Sequence, residues 1–320
     1  SMIIVLKIAC SGMTAGIYFS SKSKKQGFST VMISMAYALS SYMVGYCWNV
    51  MWLDAIMIFP IIMMGLERLI EKKDGRLYCI ALFYALYCNY YIAFMICIFA
   101  VIWYLLYSFK SIKQFFFRGI AFAFYSFLAA GMAAILLIPA YMGIKQTASG
   151  ETMQLPEHSF LTSAADLLNR QFALWSPISH DNFDGNANLY IGIFSVLAVG
   201  LYVLNGEIKV SEKIKKVLLI GLFYLSFSEM VLNFIWHGFH DQYGIPNRFS
   251  FLFGFVLLYM LWEVFEHLEG VKGWHAAFAC MAGVALMAYA KLKGTQVLED
   301  NVYGVAGMLL LLYGMLLFFY

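Results

Sequence analysis

Four short stretches of polar and aromatic residues interrupt an otherwise apolar sequence, and each contains side chains that can bind a ligand. They are CWNVMWLDA at 47–55, CNYYIAF at 88–94, SHDNFDGN at 179–186 and HGFHDQYGIPNRF at 237–249. Carboxylates, imidazoles and amides can orient a polar substrate or hold a cation, while an arginine suits a phosphate group. The chemistry open to these stretches therefore depends on the elements that carry them.

Two of the stretches sit beside long apolar runs. Asp54 follows Trp48 and Trp52, and an acidic group at the edge of an apolar segment costs free energy unless it is paired or faces water. It is either a site residue or a structural carboxylate near a helix N-terminus. Asn89 and Tyr90 could contact a substrate, or Asn89 could hydrogen-bond a neighbouring helix. Both interpretations stay open for both stretches.

The third stretch could hold a divalent cation. His180, Asp181 and Asp184 lie within five residues, and imidazole and carboxylate oxygen are both metal ligands. The alternative is a loop with a turn at Asp184-Gly185 that binds no metal. The sequence favours the loop without metal, a divalent cation is the alternative, and no other cofactor is indicated.

The fourth stretch carries an arginine at the start of an apolar run. Arg248 presents a planar fork of donors that matches a phosphate, and His240 and Asn247 could assist it. The alternative is an arginine that extends to lipid headgroups, which are also phosphates. The sequence favours the phosphate role because other polar groups accompany the arginine.

The composition identifies the environment of all four stretches. The 320 residues are 62% hydrophobic and only 12% charged, whereas soluble domains carry about 25% charged residues. In lipid, helices satisfy all backbone polar groups, so we predict an all-α, polytopic transmembrane helix bundle. The apolar runs predict about eleven spans, at 2–20, 29–47, 53–70, 77–89, 91–108, 119–142, 188–204, 217–234, 248–265, 274–290 and 302–320.

The distribution of basic residues predicts the orientation. Alternate loops contain fifteen lysines and arginines, at 22–25, 68–76, 110–118, 209–216 and 272, and the opposite loops contain five. The positive-inside rule places the first set in the cytoplasm, so the polar stretches face outside. The predicted organisation is transmembrane helices at 1–142, an outer segment at 143–187 and further transmembrane helices at 188–320. Within that outer segment, Ser163 and Asp166 predict a capped short helix.

Several classes of function find no support. The patterns GxxxxGK, GxGxxG, HExxH and GxSxG do not occur in a suitable context, which argues against a nucleotide-driven motor or a common hydrolase site. Basic residues do not alternate with aromatic ones on a polar face, so nucleic acid is not an expected partner.

The motifs resemble those of a known family. SMAYALSSYMVGYCWNVMWLDAIMIFPIIMMGLERLI, LYCNYYIAFMICIF, LYIGIFSVLAVGLYVL and PNRFSFLFGF are similar to the bacterial YfhO membrane proteins. The resemblance implies a GT-C-like fold and a relationship to glycosyltransferases. Such enzymes take a sugar from a polyprenyl-phosphate carrier on the outer face of the membrane, and YfhO-like proteins are associated with decoration of teichoic acids in Gram-positive cell walls.

The resemblance thus implies a bacterial plasma-membrane protein whose partners are a polyprenyl-phosphate-linked sugar, a cell-wall polymer acceptor and membrane lipids. Family members are usually longer, with an earlier acidic outer loop, so we expect this sequence to be part of an enzyme and to lack its catalytic carboxylate. No catalytic residue is assigned, and the expected substrate-binding residues are Asp54, Asn89, Tyr90, His240, Asn247 and Arg248. The alternatives are a lipid-linked sugar transporter or flippase, or a non-enzymatic scaffold.

Overall fold

The computed structural model describes residues 2–23, 27–146, 155–172, 174, 177–178, 186–240, 244–245, 247–295 and 299–318. Within these ranges the regular structure is helical, apart from one isolated antiparallel bridge between Phe160 and Glu229. The all-α prediction is therefore confirmed. The helices are α1 (Met2–Lys22), α2 (Phe28–Ala38), α3 (Ser41–Gly45), α4 (Val50–Lys72), α5 (Arg76–Cys88), α6 (Tyr90–Leu106), α7 (Ile112–Met132), α8 (Ala134–Ile144), α9 (Ala164–Asn169), α10 (Phe194–Leu204), α11 (Val210–Ser228), α12 (Met230–Trp236), α13 (Ser250–Glu266), a 3₁₀ turn (Leu268–Gly270), α14 (Gly273–Lys293) and α15 (Asp300–Phe318).

Six helical segments among the described residues are long and apolar enough to cross a membrane. They are Met2–Lys22, Phe28–Gly45, Val50–Lys72, Ile112–Met132, Gly273–Lys293 and Asp300–Phe318. Shorter apolar helices occur as well, including α5, α6, α8 and α10. The count of about eleven spans stays a prediction, since length and composition alone select six.

Several of the predicted spans have different boundaries in the structure. The run at 119–142 is divided between α7 and α8, which meet at Ala133. The run at 217–234 is interrupted at Glu229, whose extended backbone ends α11. The Glu229 side chain accepts a hydrogen bond from the Leu232 N–H at 2.8 Å, so this carboxylate caps the next helix. A local capping interaction thus overrides a continuous apolar pattern.

The described chain forms two compact units. The first comprises 1–22, 47–155 and 234–241, and the second comprises 23–46, 156–233 and 242–320. In the first unit α4 packs against α1 and α5, and α5 packs against α6 and α7. Gly65 permits the approach of α4 to α5, because a Cβ there would lie 2.4 Å from the Tyr78 nitrogen.

The second unit contains three packed helix pairs: α10 packs against α13 and against α14, and α14 also packs against α15. α13 is buried along nearly its whole length, and α2 and α11 pack against it. The short helix α9 packs on α14, and its N-cap is Ser163, whose Oγ accepts a hydrogen bond from the Asp166 N–H at 3.1 Å. The predicted capped helix in the 143–187 segment is confirmed.

Candidate functional site

Asp54 forms an ion pair within the first unit. Its carboxylate lies 2.6 Å from the Lys7 amine, and both side chains are less than a fifth exposed. The same amine donates to the Val50 carbonyl at 3.1 Å, in the first turn of α4. The α4 N-cap is Asn49, so Asp54 does not itself cap the helix. Of the two nearby tryptophans, Trp52 is buried and Trp48 is 45% exposed.

Asn89 separates two helices that would otherwise be continuous. Its backbone is extended, and its Oδ1 accepts a hydrogen bond from the Ile92 N–H at 2.9 Å, which caps α6. Asn89 therefore has a structural role at the start of this helix. Tyr90, the first residue of α6, is 37% exposed.

The next residue of α6 meets the histidine stretch inside the same unit. The Tyr91 ring stacks on the His240 ring, with the centroids 5.7 Å apart and the planes at 20°. The ring of His237, which is fully buried, lies 6.5 Å from Tyr91. Between the two histidines, Phe239 has a φ of 62°, a left-handed conformation that is rare for an aromatic residue. The first unit thus gathers a tyrosine and two imidazoles at the start of α6.

The expected metal stretch lies outside the described residues, since His180, Asp181 and Asp184 fall at 179–185. Among the residues that the structure does describe, histidine, cysteine, aspartate and glutamate form no group of three suited to a metal ion. The divalent cation stays a prediction from the sequence.

Asn247 belongs to a buried amide network in the second unit. Its Oδ1 accepts a hydrogen bond from Asn233 Nδ2 at 2.6 Å, and its Nδ2 donates to the Asn186 carbonyl at 3.2 Å. Its φ of 50° is left-handed, which asparagine tolerates better than most residues. These bonds fix the backbone immediately before Arg248.

Arg248 is held through both its side chain and its backbone. Its Nε donates to the Ile245 carbonyl at 3.1 Å, and its own carbonyl accepts from the Tyr42 hydroxyl at 2.7 Å. The positive charges of Arg248 and Arg170 both act on the Tyr46 phenol, which follows α3. Arg170, the C-cap of α9, is buried.

A cavity of 730 Å³ lies in the same unit, between the 160–164 stretch, α9 and the end of α11. Asn186 and Asp166 line it, together with the apolar side chains of Leu161 and Leu225. Five of the residues that line it carry hydroxyl groups, namely Thr162, Ser163, Tyr224, Ser228 and Thr295.

Sequence reasoning missed three features: the cavity, the combined effect of the Arg170 and Arg248 charges on Tyr46, and the stacking of Tyr91 on His240. Each joins residues far apart in the sequence, so no local pattern reveals it. Arg170 did carry one signal, because it follows the capped helix that Ser163 and Asp166 predict.

Comparison with known proteins identifies the family. The family model described as "Bacterial membrane protein YfhO" matches residues 1–320. Among curated proteins and among solved structures, no match to this chain was found. The match covers the chain from end to end, and the apolar helices agree with it. The chain is an integral membrane protein that belongs to the bacterial YfhO family.

Proposed function

We propose that this chain is a polyprenyl-phosphate-sugar-dependent glycosyltransferase, or part of one. It would transfer a sugar to a cell-wall polymer, such as a teichoic acid, on the outer face of the bacterial plasma membrane. In this proposal the polar stretches face outward, and the helices form a GT-C-like bundle of about eleven spans.

The observation that carries the proposal is that the second unit holds Arg248 through hydrogen bonds to Ile245 and Tyr42, and that its charge and the charge of Arg170 act on the same phenol. Two guanidinium groups offer more donors than one, and their planar forks suit the oxygens of a phosphate ester. Asn247 contributes by holding the backbone before Arg248 through two hydrogen bonds of its amide. The two arginines suit the phosphate group, which every polyprenyl-phosphate sugar carries.

A groove in the same unit supports a prenyl-chain site. It lies between α14 and α15, has a volume of 710 Å³ and is lined by apolar side chains from both helices, among them Val284, Ala288 and Leu311. Such a lining suits a hydrocarbon chain and offers no partner for a sugar hydroxyl.

The chemistry requires a base and a charge stabiliser. The acceptor hydroxyl loses its proton to a carboxylate as it attacks the anomeric carbon, and the bond from that carbon to the phosphate oxygen breaks. Negative charge develops on the leaving phosphate, and preorganised donors lower the barrier by stabilising it. Arg170 and Arg248 take this second role. The substrate contacts expected at His240, Tyr90 and Asp54 belong to the first unit and stay predictions from the sequence.

The test measures donor binding and does not depend on turnover. The chain is reconstituted in nanodiscs, and the affinity for a polyprenyl monophosphate is compared with that for the corresponding polyprenol. Arg248→Ala should weaken phosphate binding by roughly 30-fold or more, since an unpaired charge typically costs about 2–5 kcal/mol. Arg248→Lys should retain part of the affinity, because it keeps the charge but loses the fork.

Arg76→Ala is the matched control. This arginine is 81% exposed and pairs with Asp74 at the surface, so its removal should leave binding unchanged. Equal affinities for phosphate and alcohol, or equal affinities in wild type, Arg248→Lys and Arg248→Ala, would overturn the phosphate role.

A further inference from the structure

The hydroxyl-lined cavity has no role in the phosphate site described above. We propose that it is a saccharide-binding site, which receives a neutral sugar ring of the acceptor or the donor. The proposal deepens the glycosyl-transfer function and rests on it for the class of ligand. The cavity volume of 730 Å³ falls within the range of about 300–1,000 Å³ found for small-molecule sites.

The charge of the lining selects a neutral ligand. None of the described residues that line the cavity is basic, so an anion finds no counter-charge there. Asp166 is the acidic one, and its carboxylate is already bonded. Oδ1 accepts from the Thr295 N–H at 2.7 Å, and Oδ2 accepts from the hydroxyls of Ser163 and Thr295 at 2.6 and 3.0 Å. These bonds leave the carboxylate suited to orienting hydroxyls and poorly suited to attracting a free cation.

The polar groups of the lining match a ring that carries several hydroxyls. A hydroxyl both donates and accepts hydrogen bonds, so Thr162, Ser228 and Tyr224 can each meet a sugar hydroxyl in either sense. Asn186 adds an amide that already contacts the Thr162 hydroxyl at 3.5 Å. A hydrocarbon chain would leave the remaining hydrogen-bonding capacity of these groups unused, which costs free energy.

The apolar part of the lining matches the carbon face of such a ring. Phe160 lines the cavity and is 77% exposed, so one face of its ring is open to a ligand. Pockets for small molecules typically combine aromatic surface with a few well-placed polar groups. Phe160 thus supplies an aromatic platform for the carbon face of a sugar ring.

The wall that carries Phe160 is held in place. The Leu161 N–H donates to the Ser228 carbonyl at 2.7 Å, and the Met230 N–H donates to the Ser159 carbonyl at 3.0 Å. His158 Nδ1 lies 2.9 Å from the Glu229 carboxylate. A wall fixed before binding loses little conformational entropy when the ligand arrives.

The cavity and the arginines share two elements of the second unit. On α9, Asp166 lines the cavity and Arg170 follows one turn later. Asn186 also lines the cavity, and its carbonyl accepts from Asn247, which directly precedes Arg248. A sugar in the cavity and a phosphate at the arginines would therefore be positioned by the same short segments.

The test uses saturation-transfer NMR with the 320-residue chain in detergent micelles. The probes are the methyl glycosides of glucose, galactose and N-acetylglucosamine, with inorganic phosphate as a separate probe. At least one glycoside should show saturable binding to wild type. Phe160→Ala and Thr162→Val should each weaken it by roughly three- to tenfold, through loss of ring contact and of one hydrogen bond. Ala164→Trp, at an exposed lining position, should abolish it by filling the cavity.

Phe127→Ala is the matched control, since Phe127 is 78% exposed and does not line the cavity. Glycoside binding should be unchanged in this variant. Absence of saturable binding, or binding that all three cavity variants leave unchanged, would overturn the saccharide site even if polyprenyl phosphate still binds. Conversely, if glycosides bind but Arg248→Ala leaves the affinity for polyprenyl monophosphate unchanged, only the role of Arg248 in donor binding is overturned.

Discussion

The pair formed by Lys7 and Asp54 gives the sharpest test of whether a charged residue in this chain is structural. The two charged groups are 2.6 Å apart, and their side chains are 17% and 18% exposed. Asp54→Asn keeps the shape of the side chain but removes its charge, so the Lys7 amine, which also donates to the Val50 carbonyl, loses its counter-charge. Lys7→Met removes the other charge while it retains a long apolar chain.

The magnitude follows from burial. Removal of one partner of a buried ion pair costs about 3–5 kcal/mol of stability. Because this pair is partly exposed, we expect either single variant to lower the free energy of unfolding by about 3 kcal/mol. The double variant Lys7→Met/Asp54→Asn leaves no unpaired charge. Its loss should be about 1–2 kcal/mol, which gives a coupling energy of several kcal/mol in a double-mutant cycle.

The assay is the free energy of unfolding in detergent, measured for wild type, both single variants and the double variant. Polyprenyl monophosphate binding by each variant is measured in parallel. The pair does not stabilise the first unit if Asp54→Asn leaves the free energy of unfolding unchanged. The same conclusion follows if the loss in the double variant equals the sum of the losses in the two single variants. A selective loss of donor binding in Asp54→Asn at normal stability would instead assign this carboxylate to the site.

Three further outcomes are expected. Gly65→Ala should destabilise the chain by roughly 1–3 kcal/mol because the added methyl group overpacks against α5. The control is Gly221→Ala, whose methyl group meets no atom within 4 Å and should be neutral or stabilising. Equal melting temperatures of the two variants would contradict the close approach of α4 to α5. His240→Phe should preserve the stacking on Tyr91, while His240→Ala should cost about 0.5–1.5 kcal/mol, as measured by chemical unfolding. Burial tends to raise the pKa of Glu229, which lies outside the six candidate spans, but its hydrogen bonds lower the pKa on balance. Its contribution to stability is therefore present above its unfolded-state pKa and lost as pH falls through the lowered value, and Glu229→Gln should remove this dependence from pH-dependent unfolding curves.

The sequence predicts features that depend on a few adjacent residues. The helix break at Asn89 and the Ser163 cap both follow from side chains that bond to the backbone two or three residues away. The all-α class follows from apolar composition and from the requirement that lipid-exposed backbone be internally bonded. The interruption at Glu229 is also local, but the surrounding apolar run concealed it.

The candidate site depends on tertiary contacts and could be predicted only in part. Arg248 stands out in the sequence, whereas Arg170, whose charge acts on the same phenol, precedes it by 78 positions and is recognised only after folding. Lys7 is similarly distant from Asp54, so its ion pair could not be inferred from spacing. The cavity is formed by segments separated by over a hundred residues, which no periodic pattern relates.

The helix break at Asn89 also affects how the chain fits a bilayer. At 1.5 Å per residue, the 13 residues of α5 reach about 20 Å and the 17 residues of α6 about 26 Å. A typical hydrocarbon layer is about 30 Å thick, so both helices are shorter than the layer that a crossing helix must match. Where such a hairpin crosses, the lipid around it thins or the flanking polar side chains extend to the headgroups. A thinned zone would bring the headgroups of lipid-linked molecules deeper, toward the residues at the start of α6.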